Sequence, residues 1–178
     1  PIEQPQVMPH EDRCGSCRAC VQVCPTQAIA ADGYHVDSRR CLSYWTIEWH
    51  GIMPRWIMAR MGQRIFGCDD CTVICPWNSK ATAPVLEGLQ PRANNLRPAL
   101  LELLNYRDPS AFKQRFANSP ILRTGAVGLT RNVLVALANL DSQASRKAVT
   151  ERMQHDESYV VRATAVWAAH RLGLSIET

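Results

Sequence analysis

Cys14-Gly-Ser-Cys17-Arg-Ala-Cys20-Val-Gln-Val-Cys24-Pro25 decides how this chain folds. The spacing reads C-x2-C-x2-C-x3-C-P. Two residues between cysteines let a tight loop wrap one cube of iron and sulfur, its thiolates converging from successive turns. The fourth cysteine, three residues further on, points away and can serve a second cube. Proline directly after it suits the first turn of a helix, where no amide hydrogen is needed. The last three cysteines of the run recur as Cys68, Cys71 and Cys75, again followed by proline, Pro76. Cys41 stands apart and completes the chain's 8 cysteines. Eight thiolates suit two 4Fe–4S clusters with four sulfur ligands each.

This is the run of bacterial two-cluster ferredoxins, where the fourth cysteine ligates the other cluster. The crossing assigns Cys14, Cys17, Cys20 and Cys75 to cluster 1. Cys24, Cys41, Cys68 and Cys71 then hold cluster 2. Disulfides do not explain a twice-used spacing, and structural zinc uses paired C-x2-C or cysteine–histidine sets. Cluster thiolates need a reducing compartment, so a cytoplasmic protein is expected.

Of the 178 residues, 46% are hydrophobic, which is ordinary for a soluble globular chain of one or two domains. No apolar run is long enough to cross a bilayer, and residues 1–10 lack the apolar core of a signal peptide. No membrane partner is expected, and the chain is expected to be a monomer. It opens at Pro1 with the cysteine run close behind, so a further N-terminal part is expected. The net charge of +4 is unevenly spread. Residues 1–80 carry eight acidic and eight basic side chains, whereas residues 81–178 carry eight and twelve. Within 92–131, Arg92, Arg97, Arg107, Lys113, Arg115, Arg123 and Arg131 face only Glu102 and Asp108. A local basic excess of that kind favours a polyanion partner.

The chain divides by composition. Residues 1–80 read as a ferredoxin-like double 4Fe–4S domain with a helical insertion at 42–67. Residues 81–98, rich in proline and asparagine, read as a linker, and 99–178 as an all-α domain of HEAT-like repeats. The expected fold class is therefore α+β. An extended lead-in covers 1–13. A short helix is expected over 26–31, a turn at Asp32-Gly33 and a short strand over 34–37. Helices are expected over 43–49 and 55–66, broken at Gly51-Ile-Met-Pro54. Ile57, Met61 and Ile65 make an apolar stripe there, and Trp45, Trp49 and Trp56 add packing surface. Glu48 and His50 are a weak candidate for proton handling. The second half reads as helices over 99–104, 109–116, 119–130 continuing to 140, 145–154 and 156–173. Asp108 is the expected cap before Pro109. The piece Asp156 to Ala169 carries the D-x4-V-R-x2-A pattern of a HEAT repeat.

Several stretches together are specific. Cys41-Leu-Ser-Tyr-Trp-Thr-Ile-Glu48, Gly67-Cys-Asp-Asp-Cys71 and Val73-Ile-Cys-Pro-Trp-Asn78 resemble epoxyqueuosine reductase. So do Ser119-Pro-Ile-Leu-Arg-Thr-Gly125 and Arg131-Asn-Val-Leu134. The resemblance runs along essentially the whole chain. It implies an oxidoreductase of tRNA processing, dependent on iron–sulfur clusters and cobalamin, that reduces epoxyqueuosine to queuosine at the wobble base. It implies an N-terminal cobalamin-binding domain, a two-cluster module and a HEAT-like domain that helps hold tRNA, of which this chain matches the last two. The catalytic residues are thus expected outside it. Leu122 stands where the family has lysine.

In this reading the clusters carry single electrons from an external donor to the cobalt, and the target base is drawn out of the RNA loop. Lys113, Arg115, Arg123 and Arg131 would grip tRNA phosphates, which position the RNA without reading sequence. Asp69 and Asp70 lie between two ligands, where they would either make cluster 2 harder to reduce or cap a turn. Two other classes share features: a stand-alone two-cluster electron-transfer protein with a helical docking domain, and a relative of the reductive dehalogenases.

Overall fold

The centre of the molecule is a helix that no single face describes. The computed structural model describes residues 12–82 and 92–175. Eight α-helices are found among them: α1 (Ala19–Val23), α2 (Arg55–Met61), α3 (Asp70–Val73), α4 (Leu100–Leu103), α5 (Pro109–Arg115), α6 (Gly125–Leu140), α7 (Gln143–His155) and α8 (Tyr159–Arg171). Residues Tyr44–Glu48 form a π-helix, and short 3-10 turns cover Pro76–Asn78, Ala93–Asn95 and Pro120–Arg123.

Helix α6 feeds three hydrophobic clusters. Leu134 and Ala138 pack with α7 and α8, through Val149, Val161, Ala165 and Ala168. Leu129, Val133 and Leu137 pack against Leu103 and Phe112 of α4 and α5 and against Leu104 and Phe116, which cap them. Val135 turns a third way, onto Leu42, Trp45, Met53, Ile57, Met58 and Met61 of the inserted segment. A helix apolar on every side has to be surrounded, and this one is. Leu129, Val133 and Leu137, which recur at every fourth residue, form only one of its faces.

The expected α+β class is corrected here. Among the described residues there is no strand, only one isolated antiparallel bridge between Ile29 and Val36. The hairpin closes with two further bonds, Ala30 N–H to His35 O at 2.9 Å and Asp37 N–H to Ala28 O at 2.8 Å. Gly33, at φ 83°, turns the chain, and the 34–37 stretch ends before a ladder can grow. The fold is all-helical.

The expected helix over 26–31 is absent for a local reason. Cys24 O accepts from Gln27 N–H at 3.1 Å, and Cys24 Sγ accepts from Ala28 N–H at 3.2 Å. Gln27 sits at φ 53°, a left-handed conformation that ends helical progress. The helix lies before the Cys-Pro pair instead, as α1. Helix α2 stops at Met61 because Gly62 turns to φ 59°, which leaves Ile65 beyond it, packed against the α4–α5 cluster.

The second half follows its sequence signals closely. Asp108 caps α5, its carboxylate accepting from Ser110 and Ala111 N–H at 3.0 and 2.8 Å, with Pro109 in the first turn. Asp108→Ala should lower stability by about 1 kcal/mol in urea unfolding, with an unchanged slope. In the HEAT pattern, buried Asp156 accepts from Arg107 Nη2 at 2.6 Å and from Ser158 N–H at 2.9 Å. Arg162 donates back to Asp156 O at 2.7 Å. The lead-in 1–11 and the middle of the linker, 83–91, lie outside the described residues.

Candidate metal centre and nucleic-acid interface

The two cysteine runs fold as near copies. Cys24 follows α1 at φ −63°, ψ 113°, and Cys75 follows α3 at φ −64°, ψ 123°. Each carbonyl closes a turn three residues on: Gln27 N–H to Cys24 O at 3.1 Å, Asn78 N–H to Cys75 O at 2.9 Å. Proline after each cysteine sets that turn. Only the second goes on into a 3-10 turn, with Pro76 at its start. Helices α1 and α3 pack against each other.

Cys14, Cys17, Cys20 and Cys75 line one cavity of about 500 Å3, with Trp77 and Arg13 at its side. Arg13 lies over the Trp77 ring, 5.4 Å from its centroid, and Trp77 Nε1–H donates to Arg13 O at 3.3 Å. These contacts tie the C-terminal end of the second run back to the first. Asp12 anchors the loop from outside, accepting from Cys14 N–H at 2.8 Å and from the Tyr34 hydroxyl at 2.5 Å. That bond holds the Asp12 carboxyl below its usual range and pushes the Tyr34 phenol up to about 12.

The other four thiols sit on segments joined to one another. Arg40, next to Cys41, donates to Thr26 O at 3.1 Å, two residues after Cys24. Cys68 packs against the cluster that contains Leu42. Cys71 lies on α3, against α1. Burial opposes ionisation of Cys24, but amide donors led by Ala28 outweigh it and bring the thiol below its ordinary value. Cys68 goes the other way, pushed up chiefly by burial.

All 8 cysteines are free thiols. Among the described residues no three His, Cys, Asp or Glu side chains converge for a single metal ion. Four thiols spread around a cavity suit a multi-iron cube, whose outer corners are further apart than the ligands of one ion. The residues fit the cluster they would hold.

Asp70 is not a bare charge beside those thiols. Arg64 meets it with two bonds, Nε at 3.2 Å and Nη2 at 2.5 Å. Asp69 sits at φ 60° before α3 and makes no side-chain cap.

The basic stretch is less available than its count suggests. Arg92 donates to Ala117 O at 2.5 Å, and Arg107 binds Asp156. Arg115 donates to Asn95 Oδ1 at 2.7 Å and lies 4.9 Å from the Phe116 centroid. Arg123 is exposed and pairs with Glu48. Lys113 is exposed on α5, at the edge of a cavity of about 860 Å3 shared with His50, Leu122 and the first turn of α6. Glu48 and His50 are thus divided between a salt bridge and a cavity wall.

Arg131 has to be taken out of the phosphate-binding set. It is wholly buried. Its guanidinium donates to Trp49 O at 2.6 Å, Gly51 O at 2.8 Å, Trp45 O at 2.8 Å and Asn132 Oδ1 at 2.9 Å. Burial lowers its pKa to about 10, which still leaves it charged. Neighbouring donors do the same work. Asn132 reaches Thr46 O at 2.7 Å and Ile65 O at 2.8 Å. Thr124 reaches Thr46 O at 2.9 Å, and Asn139 reaches Gly62 O at 3.0 Å. Side chains in and just before α6 hold the inserted segment by its main chain. Charge counting missed this role. The signal was an Arg-Asn pair in the middle of a mostly apolar helix.

Comparison with known proteins agrees with this geometry. Residues 13–78 match a family described as a 4Fe-4S double cluster binding domain. An epoxyqueuosine reductase of Xanthomonas campestris pv. campestris is 40% identical over 98% of this chain and 47% of its own. The structure of epoxyqueuosine reductase from Bacillus subtilis superposes with a TM-score of 0.85 at 31% identity, covering 95% of this chain and 44% of that one. A crystal structure of epoxyqueuosine reductase with an epoxyqueuosine-modified tRNA-Tyr stem loop gives 0.85 at 32% identity, over 96% and 44%.

Fold and site define an iron–sulfur protein, a double-cluster module packed on a helical repeat. The chain is similar to the epoxyqueuosine reductases along nearly its whole length. It spans about half the length of these relatives.

Proposed function

We propose that this chain is the electron-transfer and tRNA-binding portion of an epoxyqueuosine reductase. The observation that carries the reading is the likeness along nearly the whole chain, cysteine module and helical repeat together, to a reductase seen with its modified tRNA stem loop. Cys14, Cys17, Cys20 and Cys75 would hold one cluster and Cys24, Cys41, Cys68 and Cys71 the other. Bound clusters supply one-electron steps. The chain's own residues set the conditions: Arg64 neutralises Asp70, and Trp77 with Arg13 closes the side of the first cavity. Cobalamin enters only through the resemblance, and its binding residues belong, in this reading, to the half of the relatives that this chain does not span. An external reductant, a monomeric state and a cytoplasmic setting complete the proposal. No helix among the described residues is long and apolar enough to cross a membrane.

For RNA, Lys113 and Arg123 are the two of Lys113, Arg115, Arg123 and Arg131 that the fold leaves exposed. The cluster-loaded chain should bind an epoxyqueuosine-modified stem loop with an affinity that falls as salt rises. Changing Lys113 and Arg123 together to alanine should reduce the slope of log affinity against log salt by about one to two units. Iron content should stay as in the parent. An unchanged slope would remove these two side chains from the interface, and an absence of binding by the parent would remove the RNA role.

A further inference from the structure

Helices α2 and α8 carry no acidic residue between them. α2 reads Arg55-Trp-Ile-Met-Ala-Arg-Met61, and α8 contributes Arg162, His170 and Arg171. Between α2 and the C-terminal half of α8 runs a groove of about 500 Å3, bordered by Ile52, Arg55, Ala59, Val166, His170 and Arg171. Ile52 and Val166 stay 38% and 42% exposed on its walls, and half-buried Trp167 adds to its lining. Arg55 and Arg171 are exposed, and neither has a carboxylate partner among the described residues. An apolar strip rimmed by unpaired cations is complementary to an acidic protein with an apolar contact patch.

Position says what that protein would do. The next face of α2 carries Trp56 and Arg60, and Arg40 lies against it, 5.8 Å from the Trp56 centroid. Cys41 follows Arg40 in the chain. On its inner side α2 buries Ile57, Met58 and Met61 in the same cluster that Leu42 joins and Cys68 packs against. Met58 both lines the groove and belongs to that cluster, so the groove is one layer of side chains from Cys68, a thiol assigned to cluster 2. The RNA-facing cation Lys113 lies elsewhere, on a cavity reached by Ser158 just before α8. Along α8, Ser158 is five residues from Ala163, the nearest residue of the groove, and thirteen from Arg171 at its far end, roughly 8 and 20 Å at 1.5 Å per residue. RNA is the weaker match for the groove. Bases stack on open rings, whereas Trp56 has guanidinium groups of Arg40 and Arg60 over it and Trp167 is half-buried.

We propose that the α2–α8 groove docks an acidic electron-donor protein beside cluster 2. The proposal rests on the iron–sulfur reading above. The donor passes one electron to the cluster and is itself oxidised by one electron; no bond forms or breaks.

The test uses the cluster-loaded chain, anaerobically, with reduced flavodoxin, an acidic one-electron donor, and with dithionite as a small reductant. The variant is Arg55→Glu with Arg171→Glu, both surface positions away from the cysteines; the milder Arg55→Gln with Arg171→Gln guards against a folding defect. Flavodoxin should bleach the parent's cluster absorbance. The Glu variant should respond about tenfold or more slowly at low salt, the gap closing as salt rises, with the Gln variant between. Dithionite rates and stem-loop affinity should match the parent's. Equal flavodoxin rates in parent and variants overturn the proposal, as does a loss of stem-loop affinity in place of a slower donor reaction, which would make this an RNA surface. A parent bleached by dithionite but not by flavodoxin also overturns it while the cluster reading stands. A parent that takes up no iron and sulfide removes the cluster reading and the proposal together.

Discussion

Arg131→Ala should destabilise the folded chain by at least about 3 kcal/mol. Three main-chain carbonyls lose their donor at once: that of Trp45, in a buried bond, and those of Trp49 and Gly51, in part-buried ones; a fully buried unsatisfied acceptor costs roughly 1–3 kcal/mol and a part-buried one less. Asn132 Oδ1 loses its partner as well, and a cavity the size of a guanidinium opens in a packed interior. Arg131→Lys should recover only part of the loss, because one ammonium cannot reproduce a planar fork that spans three acceptors. Anaerobic urea unfolding of the cluster-loaded protein gives the numbers. A loss below about 1 kcal/mol for the alanine variant would mean that water replaces the guanidinium easily, and the account of α6 as the join would fail. In the fraction that remains folded, the salt slope for the stem loop should not move.

The second large effect is at Cys75. Cys75→Ser should remove the cluster on Cys14, Cys17 and Cys20, lowering reconstituted iron from about eight to about four per chain. Non-additivity identifies which cluster is lost. Cys75→Ser combined with Cys17→Ser should cost no more iron than either change alone, since both strike one cluster. Cys75→Ser combined with Cys71→Ser should leave almost none. The opposite pattern would place Cys75 with Cys68 and Cys71 and dissolve the crossed assignment, whatever the cavity at Cys14, Cys17, Cys20 and Cys75 suggests.

The cysteine spacing was legible because it is nearly a geometric specification, and likewise Asp108-Pro109, whose cap and first turn are local chemistry. The hairpin was not. Residues 34–37 carry strand-forming side chains, but a ladder needs a partner of equal length, and only Val36 finds one. The helix expected after Pro25 failed because Cys24 sulfur takes the Ala28 amide, a competition that propensity does not register. Arg131 was legible as a cation and not as a buried one. Its acceptors lie about eighty residues away in the chain, on carbonyls that no sequence pattern marks. The π-helix was equally hidden. Its wider turn, closed by Trp49 N–H to Tyr44 O at 3.1 Å, leaves the carbonyls of Trp45 and Thr46 to Arg131, Asn132 and Thr124.

Carbonyl oxygens are the same on every residue. The inserted segment is thus gripped by a feature that mutation of its own side chains does not alter, so long as its backbone keeps its path. Exposed His50, between two of the gripped carbonyls, can change without the grip registering it. The obligation falls on the other partner: Thr124, Arg131, Asn132 and Asn139 cannot change without dropping a bond. Sequence freedom is lodged in the inserted segment and sequence constraint in α6, so a surface near the clusters can be redrawn for new contacts while its attachment to the repeat stays as it was.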